Sequence, residues 1–504
     1  MHGNQPKEMT SATNGKQTVA IIGSGIGGIG TAIRLAAKGY QVTVFESNTY
    51  PGGKLTQLRN KGYRFDAGPS LFTMPEYVEE LFALSGRNIS DYFAYFKEQE
   101  SGRYFWNDGT RLVAHADTSV FADEVENILG AKAPRTLSRL RRSETMYNLA
   151  GHIFLHKPLN RWSTWINTDV ARALLHIHKL GVFSTMHAEN RRLLQNAKLI
   201  QLFDRYATYN GSSPYKAPAA LNVIPHLEHS LGTYLPEKGM HQITESLYTL
   251  AQELGVCFRF GERVERILHN GKAVSGVVTS QGSFEAGIVV SDMDVLLTYR
   301  RLLSDIKAPE FILGQERSTS ALIFYWGIRH SFAELGLHNV FFGDDYRGEF
   351  DRLFKGIVPD TDPTVYVSVT AKRIPEDAPQ GCENWFVMLN VPPHRQSFDW
   401  QKLIPQYRKI VLDKLSRVLG CPIAPLVEVE ETLSPLDIEI RTSSFGGSLY
   451  GNSSNNRFSA FLRHTNNSSR LKNLYFCGGS VHPGGGIPLC LLSAKIVSEL
   501  IAET

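Results

Sequence analysis

Six residues near the start of the chain, Gly23-Ser24-Gly25-Ile26-Gly27-Gly28, have the types and spacing to hold a diphosphate. Gly23 permits a tight turn, Gly25 lets the backbone approach a pyrophosphate, and Gly28 lets a following helix pack close to a strand. The N-terminus of that helix offers unpaired N–H groups and a partial positive charge. Glu46 stands 18 residues beyond Gly28, where a carboxylate accepts hydrogen bonds from a ribose diol. An acid there disfavours a 2′-phosphate, and so NADP. The motif by itself leaves FAD and NAD both open, and the bland alternative is a glycine-rich turn that holds nothing.

Two further glycine segments narrow the choice. Pro51-Gly52-Gly53-Lys54 lets the chain lie against a dinucleotide a second time, with Lys54 able to meet a phosphate. Tyr63-Arg64-Phe65-Asp66-Ala67-Gly68-Pro69-Ser70 follows it. Far along the chain, Gly478-Gly479-Ser480 and His482-Pro483-Gly484-Gly485-Gly486 form a loop without bulk, and Pro488 suits the first turn of a helix. A helix N-terminus aimed at the pyrimidine edge of a flavin would stabilise the negative charge that reduction places there. The alternative for this segment alone is a glycine loop capping a C-terminal helix.

These groups need a frame. Val19-Ala20-Ile21-Ile22 reads as a buried parallel strand, and Val42-Thr43-Val44-Phe45 as a second. Between them Ile29, Ala32, Ile33 and Ala36 share a helical face that Gly39 closes. This is a complete strand–helix–strand unit ending in an acid. In the middle of the chain a helical stretch over 243–254 precedes strands at 256–260, 263–268, 276–278 and 288–291. Leu474 to Cys477 reads as a last strand, followed by a helix to about Ile501.

At 504 residues the chain is too long for one hydrophobic core. Its 42% hydrophobic and 20% charged residues place it among ordinary globular proteins. A net charge of +4 with no long basic tract argues against nucleic acid as a partner. Five scattered cysteines without a CxxC argue against a disulfide framework and a zinc site, and fit a reducing compartment. Residues 1–17 are polar and read as a loose tail, and no clean run of about 18 apolar residues predicts a transmembrane helix. No GxSxG, Walker or zincin pattern occurs.

Taken together, the segments Gly23 to Gly28, Gly52 to Lys54 and Gly478 to Pro488 resemble the amine-oxidase-like flavoproteins. More narrowly, the chain is similar to the bacterial carotenoid (phytoene-type) desaturases, with His482-Pro483-Gly484-Gly485-Gly486-Ile487-Pro488 in the place of their C-terminal signature. The run Arg205-Tyr206-Ala207-Thr208-Tyr209, continuing to Ala219, and Gly239-Met240-His241 resemble the 1-hydroxycarotenoid 3,4-desaturase branch. Lys54 departs from the Arg common in the family, which keeps the charge and loses a bidentate grip.

The resemblance implies an α/β fold, with a Rossmann-like, two-dinucleotide-binding FAD domain and an inserted α+β substrate domain. The FAD domain would take 18–90, 235–300 and 441–504, and the substrate domain 91–150, 210–234 and 301–440. Residues 151–209 would form a helical region at a membrane interface. There Asn167 can cap a helix with Val170, Ala173, Leu174 and Ile177 on one face, Gly181 breaks it, and a second helix carries Leu193, Leu194, Ala197 and Ile200. The implied FAD contacts are Gly23, Ser24, Gly25, Ile26, Gly27, Gly28, Glu46, Ser47, Gly52, Gly53, Lys54, Leu55, Gly68, Pro69 and Ser70. Val264, beside adenine, joins them with Ser291, Gly478, Gly479, Ser480, Gly486, Ile487 and Pro488. Arg205, Tyr206 and Tyr209 would recognise a polar end of the substrate.

The implied reaction removes two hydrogens from a CH₂–CH₂ step next to a polyene, as a hydride to flavin N5 and then a proton to a base that the sequence does not name. Oxygen or a quinone would reoxidise the flavin, since no second dinucleotide motif favours NAD. A carotenoid resides in lipid, so the enzyme would be cytoplasmic and peripherally attached to the inner membrane. Trp162, Trp165, Arg172, His176, His178, Lys179, Arg191, Arg192 and Lys198 are the basic, tryptophan-flanked residues that would make the contact. Rival readings are a phytoene or diapophytoene desaturase, a terminal-methyl carotenoid oxidase, a flavin-dependent isomerase, an amine oxidase, and a flavin-free escort protein for prenylated partners.

Overall fold

The computed structural model describes residues 17–151, 180–181, 183–456 and 463–503. Two sheets organise them. The first is a five-stranded parallel sheet in the order Leu474–Phe476, Ile288–Ser291, Thr18–Ile22, Gln41–Glu46, Cys257–Phe260. Its central strands are buried along nearly their whole length, which is why they read as unbroken apolar runs. Ile22 is in register with both Phe45 and Ser291, and Ser291 with Phe476. The strands therefore end along one edge, and the residues just beyond them, Gly23, Ser47, Asp292 and Cys477, meet there. The strand order turns back on itself at Thr18–Ile22, the place where ligands bind in open α/β sheets.

The helix Ile26–Ala37 packs on this sheet and against the C-terminal helix Ile487–Ala502, and the two share one core with Val19, Val44 and Val290. The apolar positions of the C-terminal helix run almost all the way round it, as burial on several sides requires.

The second sheet has seven strands, in the order Val427–Leu433, Ser320–Ile328, Glu383–Val391, Val365–Val369, His338–Phe341, Glu100–Phe105, Arg111–His115. It is antiparallel except where His338–Phe341 meets Glu100–Phe105. Side chains alternate across it. Trp385, Val387 and Leu389 face the helix Trp400–Leu419 with Leu322, Phe324 and Trp326. Phe386, Met388 and Asn390 point the other way, into a cavity. This sheet is thus buried on one face by a helix and forms the floor of the cavity with the other.

The expected helix through Val170 and Ile177, and both tryptophans beside it, lie outside the described residues. The next one, expected to carry Leu193, Leu194, Ala197 and Ile200 together, is two helices, Met186–Leu194 and Ala197–Asp204. Gln195 turns left-handed (φ 59°), and the Asn196 side chain accepts from Leu199 N at 3.0 Å to cap a new start. Leu194, Leu199, Leu202 and Phe203 are buried against Tyr104 and Leu140. The apolar face of this helix pair is turned to the protein interior, not outward.

Candidate active site

The glycine loop begins where strand Thr18–Ile22 ends. Gly23 N donates to Phe45 O at 2.8 Å, which ties the turn to the second strand. A Cβ on Gly28 would stand 2.2 Å from Gly23 O, so only glycine lets helix and strand approach this closely. Glu46 closes the strand Gln41–Glu46 and faces the cavity. One carboxylate oxygen accepts from Ser24 N (2.9 Å) and Ser24 Oγ (2.8 Å), the other from Asn48 N (2.9 Å) and Asn48 Nδ2 (2.8 Å). Ser24 thus orients the acid without itself lining the cavity.

Two other segments close on this loop. Gly52 N donates to Ser24 O at 2.8 Å, which lays the Gly52–Gly53 turn across Gly25. From the far side comes Gly478, which meets the first loop at Asp292. Cβ atoms on Gly25, Gly27 and Gly478 would lie 2.4, 2.6 and 2.3 Å from the Asp292 carboxylate oxygens. Burial pushes this carboxyl up to about 7, although the Gly28 and Gly25 amides and the Cys477 thiol act to lower it. Asp292 was not among the sequence candidates. It follows a Val-Val-Ser strand end, and the rule that ligands gather at the carboxyl ends of parallel strands is the signal that would have found it.

The predicted cofactor residues Gly23, Gly25, Ile26, Gly27, Glu46, Ser47, Gly52, Gly53, Lys54, Leu55, Gly68, Pro69, Ser70, Val264, Gly479, Ser480, Gly486, Ile487 and Pro488 all line one cavity. Gly28, Ser291 and Gly478 stand behind it. Ser291 Oγ is bonded to Thr298 Oγ1 at 2.8 Å, so its role is to tie the strand to the following turn. Lys54 Nζ donates to Ser448 O and Leu449 O, each at 3.0 Å. Burial lowers it to about 8. Arg463, also missed, donates to Tyr450 O at 2.9 Å and to Asn210 Oδ1 at 2.9 Å, and so pins the loops beneath the C-terminal glycine segment.

A space of about 910 Å³ runs from this cradle across the floor of the mixed sheet. Two helix N-termini open on it, at Ile26 and at Ile487. Glycine backbone on one side, an oriented acid at the ribose position and a helix N-terminus at the far end match the phosphates, ribose and ring system of FAD in kind and order. Beyond the cradle the walls are apolar, with Met74, Met146, Leu221, Ile224 and Leu227 above Val340, Phe386 and Met388.

A polar cluster interrupts these walls at Arg205. Arg205 Nη2 donates to Tyr104 Oη (2.9 Å) and to Glu228 Oε1 (3.3 Å), and Nη1 to Tyr209 Oη (3.3 Å). Its guanidinium lies over the rings of Tyr206, Tyr104 and Tyr209 at 4.7, 5.3 and 5.4 Å. Tyr206 Oη donates to Glu228 Oε1 at 2.7 Å, and Tyr209 Oη donates to Glu228 Oε2. Burial alone would raise the Glu228 carboxyl, but Arg205 and the tyrosine hydroxyls hold it below the usual carboxylate range, so the pair is ionised. Of the three residues expected to meet substrate, Arg205 and Tyr209 line the cavity and Tyr206 lies buried behind them. Glu228 and His338 belong to the same neighbourhood and were missed, because neither sits in a motif.

Comparison with known proteins agrees with this arrangement. The family model of flavin-containing amine oxidoreductases matches residues 26–502. The chain belongs to that family and is an FAD-dependent oxidoreductase. Among similar proteins, a 1-hydroxycarotenoid 3,4-desaturase of Flavobacterium sp. (strain P99-3) is 49% identical over 484 residues, covering 96% of this chain and 99% of the relative. A 4,4′-diapolycopene oxygenase of Methylomonas sp. is 32% identical, over 97% of this chain and 99% of its own. The zeta-carotene-forming phytoene desaturase of Myxococcus xanthus is also 32% identical, over 97% and 95%. The cyclohexylamine oxidase of Brevibacterium oxydans shares the fold, with a TM-score of 0.62 at 15% identity, covering 97% of this chain and 99% of that one.

Proposed function

We propose that this enzyme introduces a C-3,4 double bond into an acyclic or monocyclic, 1-hydroxylated carotenoid. The observation that carries the reading is the cavity itself. It begins at the dinucleotide cradle, continues between apolar walls, and contains a polar cluster at Arg205 and Tyr209. Similarity to the Flavobacterium desaturase over nearly the whole length supports the same reading.

Bound FAD supplies a two-electron oxidant that accepts a hydride from the allylic carbon. The protein's part is orientation and dryness. Gly25, Gly53 and Glu46 hold the dinucleotide end, and the C-terminal helix N-terminus favours negative charge next to it. Leu221, Ile224 and Leu227 keep water from the polyene, so that a carbon stripped of hydride loses its neighbouring proton before it meets a nucleophile. Oxygen or a quinone serves as the final acceptor.

The enzyme takes its substrate from a membrane to which it is peripherally attached on the cytoplasmic side. No helix among the described residues is long and apolar enough to cross a bilayer. The basic, tryptophan-flanked part of 151–209 makes the contact, and Phe183, 74% exposed, continues it. Co-flotation with anionic vesicles that salt reverses is expected. Protein that stays out of the vesicle fraction at low salt refutes the attachment.

The decisive test is the product spectrum after feeding defined carotenoids. A red shift equal to one added conjugated double bond, on a 1-hydroxylated substrate, is expected. Conversion of phytoene, or oxidation of a terminal methyl, would replace this reading with one of the neighbouring activities.

A further inference from the structure

The hydroxyls of the Arg205 cluster are turned on one another. Tyr206 and Tyr209 both donate to Glu228, and the guanidinium forks onto Tyr104, Tyr209 and Glu228. Another tyrosine of the cavity wall is in the opposite condition. Tyr450 lines the cavity and is only partly buried. Its Oη meets no hydrogen-bond partner among the described residues, and it is not one of the polar atoms sealed away in the packing.

The place of this side chain is fixed. Tyr450 N donates to Ser318 Oγ at 3.0 Å, and Tyr450 O accepts from Arg463 Nη1 at 2.9 Å. A Cβ on Gly485 would stand 2.8 Å from Tyr450 Cδ1, and a Cβ on Gly211 would stand 3.0 Å from Tyr450 Cδ2. One edge of the ring therefore rests on the C-terminal glycine loop of the cofactor cradle. The other rests on the turn that ends Arg205–Asn210, whose Arg205, Thr208, Tyr209 and Asn210 line the same cavity. Tyr450 stands at the seam between the cofactor end and the apolar walls. The polar side chains beside it are already engaged: Asn210 Nδ2 donates to Ser454 Oγ at 2.6 Å, and Arg463 Nη2 donates to Asn210 Oδ1 at 2.9 Å.

Burial raises the Tyr450 hydroxyl to about 12, and no neighbouring charge acts on it. It is a neutral group that both donates and accepts, set beside apolar walls. A hydrocarbon laid over it strips it of water and leaves it unpaired, whereas a hydroxyl replaces what is lost. The proposed reaction also fixes where a substrate hydroxyl must lie. In a 1-hydroxylated carotenoid the carbon that bears it is two bonds from C-3. When the C-3,4 bond is against the cofactor, the hydroxyl is beside the cofactor loop, where Tyr450 stands.

We propose that Tyr450 Oη hydrogen-bonds the hydroxyl of the substrate, and so sets which bond of the chain lies against the flavin. This rests on the carotenoid reading above and deepens it. The Arg205 cluster then braces the wall on which the Tyr450 ring leans.

The test is equilibrium binding to the FAD-loaded enzyme reduced with dithionite, which cannot accept a hydride, read from the shift of the polyene absorption band. It compares a 1-hydroxylated acyclic carotenoid with the hydrocarbon that lacks only the hydroxyl. The wild-type enzyme should prefer the hydroxylated compound by roughly ten- to a hundredfold, the penalty for leaving one buried hydroxyl unpaired. Tyr450→Phe keeps the ring between the two glycines. It should keep its full flavin content, bind the hydrocarbon at least as tightly as wild type, and retain a preference of no more than about threefold. Equal affinities in the wild type, or a preference undiminished in Tyr450→Phe, overturn the role of Tyr450 and leave the desaturase reading standing. Loss of flavin from the folded variant overturns it as well, by assigning the hydroxyl to the cofactor. Failure of either carotenoid to bind the wild-type enzyme overturns both.

Discussion

Replacing Asp292 by asparagine keeps the shape of the side chain and removes its charge from the point where the first and last glycine segments meet. The ordinary value for such a carboxyl is 3.8, and burial raises it to about 7. At about 1.4 kcal/mol per unit, that shift is worth about 4 kcal/mol. The sign follows from the direction. The folded-state value is the higher one, so the stabilising contribution is complete below the unfolded value, near 3.8, and is lost as pH rises through about 7. Above that pH the cofactor-free protein carries a buried anion. Asp292→Asn should therefore stabilise it at pH 8 by up to about 4 kcal/mol, a gain that shrinks by roughly 1.4 kcal/mol for each pH unit below 7.

The same carboxylate adjoins the loop that receives a pyrophosphate, so both cannot be charged at low cost. Binding FAD to the wild-type apoprotein should take up a proton and weaken roughly tenfold per unit above pH 7. The asparagine variant should bind with no such slope. Urea unfolding of the apoprotein, and FAD titration followed by flavin fluorescence between pH 6 and 9, read both quantities. A variant no more stable than wild type at pH 8, with an unchanged pH slope for FAD, would refute the reasoning.

Glu46→Gln weakens the acceptor at the ribose position and loosens the Ser24 turn, and should raise the FAD dissociation constant about tenfold; equilibrium dialysis checks this. Tyr206→Phe removes a hydroxyl bonded to Glu228 at 2.7 Å. It should cost about 1–3 kcal/mol of stability in urea while leaving the flavin content unchanged. Leu227→Trp pushes an indole into the apolar cavity, and should lower carotenoid turnover at least tenfold with the flavin absorption spectrum intact; single-turnover kinetics against spectral titration separates the two.

How much of this was legible in the sequence depends on distance along the chain. The glycine loop and Glu46 could be read because a strand, a turn and a helix are local, and their residue types follow from backbone geometry. The contributions of Gly25 and Gly478 were legible as types, though not their meeting at Asp292, which needs the register of parallel strands. The Arg205 motif was visible, but not its purpose. The acid that neutralises it, Glu228, lies 23 residues on, and the polar atoms beside it belong to strands of another sheet. At Lys54 a lysine beside glycines suggests a phosphate, and only the fold shows that two carbonyls are also within its reach. The single helix expected through Leu194 and Ala197 became two because Asn196 caps better than it propagates.

The parallel sheet draws its edge strand, Leu474–Phe476, from the far end of the sequence, and the helix Ile487–Ala502 covers the one that starts at Ile26. During synthesis, the first half of the cradle leaves the ribosome more than 400 residues before the second. At typical translation speeds that interval lasts on the order of tens of seconds. Throughout it, the flank of Ile26–Ala37 that the last helix covers has no partner, and from its own synthesis onward neither has the edge of Ile288–Ser291, which is the condition in which strands mispair and chaperones engage. Loading with FAD is then a late event, after which the two ends of the polypeptide are held through one small molecule.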